Sequence, residues 1–225
     1  MNLIQWLKIY EDITDSLGIN RNEDLISSFI LSNYINSNEN FLKKYHGKNF
    51  FIVGNGKNMP EGLNSISGGV VIVADSAVTR FHEYASIKPD IIVTDLDGDI
   101  NLIHNYYKNG TDLIIHAHGD NINKILKYSS KFSRAMGTTQ NIPIKNIKNY
   151  FGFTDGDRSA FLANYLNASS IILIGFCFKE VTIKPYYDEN SIAFKKKKLF
   201  WARKLLEILA SERHKKFIES SVIEI

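Results

Sequence analysis

Four short apolar runs between residues 50 and 117 each end in polar residues. The runs are nearly continuous in β-branched and aromatic side chains and span residues 50–53, 70–74, 91–93 and 113–117. This pattern is typical of strands that are buried on both faces of a parallel sheet. Ligands bind such a sheet at the carboxyl ends of its strands. The pattern therefore predicts one crevice that the polar segments share.

Helical patterns flank these runs. Apolar residues recur at helical spacing in residues 1–46 and again from residue 189 to about 216, and Asn22 or Asp24 is expected to open the second N-terminal helix. We therefore predict an α/β protein with a doubly wound, mostly parallel sheet, an N-terminal helical region and a long C-terminal amphipathic helix. The predicted division is a helical region, 1–47, and an α/β catalytic domain, 48–225.

Composition and charge narrow the class of protein. The chain has 225 residues, a formal charge of +3 and one cysteine. This charge is too small to indicate a nucleic acid partner, and the basic run 195–198 is interpreted as a solvated helix face. Without a membrane-spanning stretch or a signal-peptide pattern, we expect a cytoplasmic protein with no membrane partner. Cys177 lies in an apolar run and is expected to be an inert buried thiol.

The sharpest polar cluster follows the third apolar run. Asp95, Asp97 and Asp99 are spaced by two, so their side chains would share one face of an extended segment. Carboxylates gathered in this way repel each other unless a cation compensates them, and oxygen ligands suit Mg2+ better than zinc. An ordinary Asp/Gly turn explains the segment equally well by itself. The polar ends of the other three runs favour a shared site.

A second polar cluster occupies residues 152–158. Thr154 or Asp155 can cap a helix that begins near Asp157, which leaves backbone N–H groups and Arg158 available to a phosphate. The guanidinium of Arg158 is the candidate phosphate clamp, because it can engage two oxygens at once. The alternatives are an exposed arginine paired with an acid and, for the whole segment, an ordinary capped turn. Asp155 and Asp157 are further candidates for the metal.

His116 and His118 are spaced to project to the same side of a strand. They are candidates to donate to a phosphate or to activate an alcohol, and a plain pair of polar strand-end residues is the alternative. Zinc is disfavoured because no third ligand is evident. Residues 54–57 form a Gly-rich turn without the spacing of a Walker loop, so only a strand-to-helix turn is expected there.

Taken together, these motifs resemble a known family. Residues 74–76 and 88–98 are similar to the Ala-Asp-Gly-Gly and Pro-Asp-x-Ile-x-Gly-Asp-Phe-Asp-Ser elements of thiamin pyrophosphokinases. Four segments more closely resemble the archaeal 6-hydroxymethyl-7,8-dihydropterin pyrophosphokinases of the MptE type: Thr94-Asp95-Leu96-Asp97-Gly98, His116-Ala117-His118-Gly119-Asp120-Asn121, Thr138-Thr139-Gln140 and Gly152-Phe153-Thr154-Asp155-Gly156-Asp157-Arg158. The resemblance covers about residues 50–180 and is specific through its combination of motifs.

The resemblance implies a magnesium-dependent transfer of diphosphate from ATP to the hydroxymethyl group of 6-hydroxymethyl-7,8-dihydropterin. It implies release of AMP, a place in tetrahydromethanopterin or folate-type cofactor synthesis and, weakly, a homodimer. The expected catalytic residues are Asp95, Asp97, His116, His118 and Arg158. The expected metal ligands are Asp95, Asp97, Asp155 and Asp157. The expected nucleotide- and substrate-binding residues are Gly54, Asn55, Gly56, Asp75, Asp120, Asn121, Thr138, Thr139 and Thr154.

Some positions depart from the thiamin pyrophosphokinase pattern. Ser76 and Ala77 replace its Gly-Gly pair and Gly98 replaces its serine, which argues against thiamin as the acceptor. The alternative enzymes are a thiamin pyrophosphokinase-like protein and a nucleotide-sugar transferase, and the alternative outside enzymes is a sensor that binds a nucleotide or a pterin. No pterin-stacking residue is assigned, because six aromatic side chains fit both stacking and core roles: Phe151, Phe153, Phe176, Phe178, Tyr186 and Tyr187.

Overall fold

The computed structural model describes residues 1–36, 39–179 and 188–225, so Tyr186 and Tyr187 lie outside the described residues. Seven strands form one sheet: β1 (Asn49–Val53), β2 (Val70–Ala74), β3 (Ile91–Thr94), β4 (Asp112–Ala117), β5 (Met136–Thr139), β6 (Ser170–Ile174) and β7 (Val222–Glu224). Their order is β5-β4-β3-β2-β1-β6-β7. Strands β1 to β6 are parallel, and β7 pairs antiparallel with β6. The predicted α/β class and mostly parallel sheet are confirmed.

Helices cover both faces of this sheet. The α-helices are α1 (Leu3–Leu17), α2 (Arg21–Leu31), α3 (Met59–Gly62), α4 (Val78–Tyr84), α5 (Ile100–Lys108), α6 (Ile122–Tyr128), α7 (Asp155–Tyr165) and α8 (Glu189–Glu212). Short 3-10 turns span Glu39–Tyr45, Leu63–Ser65, Asp75–Ala77, Gly119–Asn121 and Ser129–Lys131. No helix within the described ranges combines the length and the apolar character that a bilayer span requires.

Alternate side chains of β1 enter two separate cores, as the pleat of a buried strand requires. Phe50 and Ile52 pack in the core that α1, α7 and α8 complete. Phe51 and Val53 pack in the core that α2 to α6 complete. The strand order reverses at β1, because β2 and β6 lie on its two sides and the helices after β1 and before β6 cover opposite faces. This topological switch point is where a doubly wound sheet opens a crevice for a ligand.

The N-terminal helices are docked on the same sheet. Trp6 and Tyr10 of α1 are buried in the core that contains Phe50. Helix α2 begins at Arg21, because the side chain of Asn20 accepts the backbone N–H of Asn22 as its cap. The prediction that Asn22 or Asp24 opens this helix is therefore wrong. The division of the chain at residue 47 remains a prediction.

The predicted C-terminal amphipathic helix is confirmed as α8. The side chain of Asp188 caps it, and its apolar residues Leu205, Leu206 and Leu209 are fully buried against the sheet. The helix ends at Glu212, a few residues before the predicted end. One face of its first half does not reach the core and borders the carboxyl edge of the sheet instead.

Candidate active site

A cavity of about 950 Å3 opens at the carboxyl ends of the parallel strands. Its floor comes from the residues that follow β1, β2, β3, β4 and β6, together with the start of α7. The end of α1, the turn that follows it and the first turns of α2 close one side, and α8 closes another. The cavity therefore lies where the sequence predicts the shared crevice.

Three carboxylates from separate elements converge in this cavity. Asp75 follows β2, Asp95 follows β3, and Asp155 is the first residue of α7. Each offers one oxygen, and these oxygens lie within 4.8 Å of one another. We call Asp75, Asp95 and Asp155 the carboxylate triad. Three hard oxygen donors at this separation fit a divalent cation such as Mg2+.

Burial and mutual repulsion shift the pKa values of the carboxylate triad. Burial and the neighbouring Asp95 raise the pKa of Asp75 well above its ordinary value, and burial with Asp95 and Asp75 does the same to Asp155. Burial also acts to raise the pKa of Asp95, but the hydrogen bond and charge of His118 outweigh it and lower the pKa to about 2. Without a cation, the triad therefore resists full ionisation.

Asp97 and Asp99 lie outside the triad, which corrects the expectation that they share a face with Asp95. Leu96 has a φ of 67°, so the segment turns and alternate side chains no longer align. Asp97 is exposed at the cavity rim and pairs with Lys124. Asp99 caps α5. Asp97 is therefore not one of the three converging carboxylates.

Thr154 and Asp157 form the cap of α7. The helix begins at Asp155 with Thr154 as its N-cap, which confirms one of the two predicted caps. Asp157 is fully buried, and its two oxygens accept the backbone N–H groups of Phe153 (2.8 Å) and Thr154 (2.7 Å). Both oxygens are thus occupied by the capping box. Metal binding by Asp157 would therefore compete with the cap of α7, and Asp157 is not one of the three converging carboxylates.

Arg158 lines the cavity but is buried rather than exposed, so the exposed alternative is wrong. Its Nη1 donates to the carbonyl of Gly152 (3.0 Å), and its Nη2 donates to that of Phe153 (2.8 Å). Gly152 has a φ of +83°, and a Cβ there would lie 2.4 Å from the Arg158 Cα. The guanidinium therefore holds the loop before α7. Its role as a phosphate clamp stays a prediction.

The two histidines both line the cavity, and their rings stack with centroids 5.8 Å apart. Nδ1 of His116 lies 3.1 Å from the hydroxyl of Thr138, while its buried Nε2 has no hydrogen-bond partner in the described part of the chain. Burial and the charge of Arg158 hold the pKa of His116 well below its ordinary value. His116 is therefore a neutral imidazole. Nε2 of His118 lies 3.5 Å from a carboxylate oxygen of Asp95.

Thr138 and Thr139 lie below the cavity rather than in its wall. Both are buried in β5. Thr138 contacts His116, whereas the hydroxyl of Thr139 accepts the backbone N–H of Asn141 (3.1 Å). The structure thus gives them supporting positions, and their role in binding the nucleotide or substrate stays a prediction.

Asn121 is also a supporting residue, because it is fully buried beneath the cavity. Its side-chain amide donates to the carbonyls of Asp95 (2.9 Å) and His116 (2.7 Å), and its oxygen accepts the N–H of His118. It therefore fixes three predicted site residues at once. Its neighbour Asp120 is exposed and lines the cavity.

The Gly-rich turn after β1 lines the cavity at the switch point. The N–H of Gly56 donates to the carbonyl of Gly175, which follows β6, at 2.7 Å. A Cβ on Gly56 would lie 2.5 Å from that oxygen, so only glycine permits the approach. Arg80 donates to the backbone and side chain of Asn55. Gly54, Asn55 and Gly56 thus line the cavity, and their role in binding a nucleotide stays a prediction.

Some cavity residues were missed or misjudged from the sequence. Lys195 and Lys198 line the cavity, so the interpretation of the run 195–198 as a solvated face is wrong for these two. Their spacing of three was the available signal. Cys177 lines the cavity and is partly exposed, so it is not the buried thiol that the sequence predicted. Asp24 is a further missed lining residue.

The aromatic candidates separate into two groups. Phe153, Phe176 and Phe178 line the cavity. Phe151 packs on Trp6, with ring centroids 5.9 Å apart. Of the described aromatic candidates, the first three are therefore positioned to stack on a ligand.

A doubly wound sheet with a glycine turn at its switch point and three converging carboxylates defines an α/β protein with a ligand crevice at the carboxyl edge of its sheet. A family model for 6-hydroxymethylpterin diphosphokinase MptE-like proteins matches residues 28–180. The chain belongs to this family, which confirms the resemblance drawn from its motifs.

Curated archaeal relatives agree with the family model. One from Pyrococcus furiosus is 35% identical over 97% of this chain and 98% of the relative. One from Methanocaldococcus jannaschii is 34% identical over 97% of this chain and 100% of the relative. A third, from Methanothermobacter thermautotrophicus, is 33% identical over 93% of this chain and 95% of the relative. All three are named 6-hydroxymethyl-7,8-dihydropterin pyrophosphokinase.

Proposed function

We propose that this protein transfers diphosphate from ATP to 6-hydroxymethyl-7,8-dihydropterin and releases AMP, with Mg2+ held by the carboxylate triad. The observation that carries the proposal is the convergence of Asp75, Asp95 and Asp155 beside the Gly-rich turn of the switch point. The printed names of the relatives supply the acceptor. Synthesis of a tetrahydromethanopterin- or folate-type cofactor belongs to the same proposal.

The reaction asks mainly for positioning and charge neutralisation. The hydroxymethyl oxygen forms a bond to the β-phosphorus of ATP, and the bond between that phosphorus and the α,β-bridging oxygen breaks. AMP leaves with the bridging oxygen, and the hydroxyl loses its proton. When bound, Mg2+ supplies charge neutralisation at the phosphate oxygens. The protein aligns donor and acceptor, which requires no covalent intermediate.

The triphosphate is placed across the switch point in this proposal. There the glycines after β1 allow a close approach of the backbone, and the start of α7 contributes N–H groups from Asp155 and Gly156. Asn121 and Thr94 hold two of the proposed metal-binding carboxylates in place. Asn121 donates to the Asp95 carbonyl, and the Thr94 hydroxyl donates to Asp75 at 2.8 Å.

His116 is the proposed hydrogen-bond acceptor for the hydroxyl group of the pterin. Its contact with Thr138 occupies Nδ1, and its Nε2 lies in the cavity wall with no partner among the described residues. Because its pKa is held low, the ring is neutral at physiological pH and can accept a hydrogen bond from the alcohol. The proton then passes to solvent.

AMP release from ATP and Mg2+ tests the proposal directly. We would compare the reduced hydroxymethylpterin, thiamin and no acceptor, with Asp95→Asn as the inactive variant and circular dichroism as the check on folding. AMP formed only with the pterin, and lost in Asp95→Asn, is the expected result. A folded protein that binds ATP but releases no AMP with either acceptor would refute it, and would turn attention to sugar transfer or sensing. The dimer and the cytoplasmic location remain predictions.

A further inference from the structure

Helix α8 presents a narrow stripe of residues to the cavity. The stripe follows the helical repeat and consists of Ser191, Phe194, Lys195, Lys198, Leu199 and Ala202. Lys196 and Lys197 lie on the opposite side of the helix and are exposed. The basic run is thus divided between two environments. The family model ends at residue 180 and does not include this helix.

The ammonium group of Lys198 lies near the N-terminus of α7. Its Nζ lies 5.8 Å from the ring centroid of Phe153 and 5.4 Å from that of Phe194, and both rings line the cavity. Phe153 is two residues before Asp155, so the ammonium group faces the part of the cavity that contains the triad. Its positive charge acts to lower the pKa of Asp155 and of His116.

The negative charges of the site favour a cationic side chain on the cavity wall that α8 forms. The triad and a triphosphate together bring more negative charge than one divalent cation offsets. Arg158 already donates both terminal nitrogens to backbone carbonyls. Lys198 is only partly buried, and it contacts aromatic rings rather than a carboxylate in the described ranges. A flexible ammonium group of this kind suits the shifting oxygens of a phosphate chain.

We propose that Lys198 binds the β- and γ-phosphates of ATP, so that α8 is one wall of the nucleotide site. This inference rests on the proposed function, because that function supplies the triphosphate ligand. Lys198 contacts ATP from the wall of the cavity that α8 forms. Its ammonium group lies over the rings of Phe153 and Phe194, which limits the positions that it can take.

Calorimetric binding of Mg-ATP and of AMP to the intact protein tests this assignment. Lys198→Met removes the charge and keeps the stem, Lys198→Arg keeps the charge, and Lys196→Met is the matched control on the exposed side of the same helix. We expect Lys198→Met to bind Mg-ATP about ten- to a hundred-fold more weakly, as for a lost charged hydrogen bond. AMP affinity should be unchanged, Lys198→Arg should recover most of the loss, and Lys196→Met should match the wild type.

Equal Mg-ATP affinities for Lys198→Met and Lys196→Met would overturn the inference. An equal loss of ATP and AMP affinity in Lys198→Met would also overturn it, because the contact would then not be specific to the outer phosphates. Thermal melting confirms that each variant is folded, and Lys198→Gln replaces the methionine variant if that one is not. Wild-type protein that binds Mg-ATP without releasing AMP would refute the proposed reaction alone, since the binding comparison still decides the role of Lys198.

Discussion

Replacing Asp155 by asparagine is expected to stabilise the metal-free protein while it weakens metal binding. Asp155 faces Asp75 and Asp95 with carboxylate oxygens within 4.8 Å. Burial and these neighbours raise its pKa well above the ordinary value. The wild-type protein therefore loses stability as the pH rises from the ordinary carboxyl range through that raised pKa, because folding then gathers charges that the unfolded chain keeps apart.

The magnitude follows from the geometry of the triad. At an effective dielectric constant of about 20, two unit charges 4.8 Å apart repel each other by about 3.5 kcal/mol. Asparagine removes this repulsion from the ionised Asp95, but it also gives up about 0.3–1 kcal/mol of favourable interaction with the N-terminus of α7. The attraction of Arg158 and Lys198 for Asp155 is lost as well. We expect a net gain of about 2 kcal/mol in the free energy of unfolding.

Thermal unfolding at about pH 8, in EDTA and in excess Mg2+, measures both effects. For a chain of this size, 2 kcal/mol corresponds to a Tm about 4–8 °C higher for Asp155→Asn in EDTA. Mg2+ should raise the Tm of the wild type and raise that of the variant less. Asp120→Asn is the matched control, because Asp120 lines the cavity outside the triad and should change neither value. A variant that melts below the wild type in EDTA would refute the reasoning.

Four further substitutions separate the proposed metal ligands from supporting residues. Asp95→Asn should abolish AMP release, whereas Asp97→Asn should retain much of it, because Asp97 pairs with a lysine at the rim. Asp157→Ala should lower the free energy of unfolding in urea by about 2 kcal/mol, because it removes the acceptor of the α7 cap. Gly98→Ala would place a Cβ 2.6 Å from Oδ1 of Asp75, and it should raise the Mg2+ concentration for half-maximal activity about tenfold or more.

Each expectation has an outcome that contradicts it. Equal losses of activity in Asp95→Asn and Asp97→Asn would return Asp97 to the ligand group. An unchanged urea midpoint for Asp157→Ala would show that the capping carboxylate contributes little. A normal Mg2+ dependence in Gly98→Ala would mean that Asp75 moves freely and is not a fixed ligand.

The central fold was predictable because buried parallel strands have a strong sequence pattern. Strands β1 to β4 coincide with the four apolar runs, since each of these strands is covered on both faces. Strand β5 has the sequence Met-Gly-Thr-Thr, and β7 has three residues, so neither carries such a pattern. Their pairing depends on the neighbouring strands β4 and β6, which the local sequence does not encode.

The site was predictable in location but only partly in composition. The positions of Asp75 and Asp95 directly after apolar runs predicted their place at the crevice, because parallel topology brings the carboxyl ends of strands together. Asp155 rather than Asp97 joins Asp75 and Asp95, because the left-handed backbone of Leu96 turns Asp97 away. The sequence does not signal this conformation at a non-glycine residue. The entry of Lys198 into the cavity depended on how α8 docks, which is a property of the tertiary packing.

Because of the buried carboxylate of Asp24, we expect the N-terminal helices to dock late in synthesis. Asp24 accepts the hydroxyl of Tyr10, the N–H of Gly119 and the amide of Gln140, and Trp6 donates to the Gln140 carbonyl. These helices leave the ribosome before residues 119 and 140, yet a buried carboxylate is costly until its donors exist. Limited proteolysis of stalled nascent chains should therefore find the N-terminal helices accessible until residue 140 has emerged, and protected in longer chains.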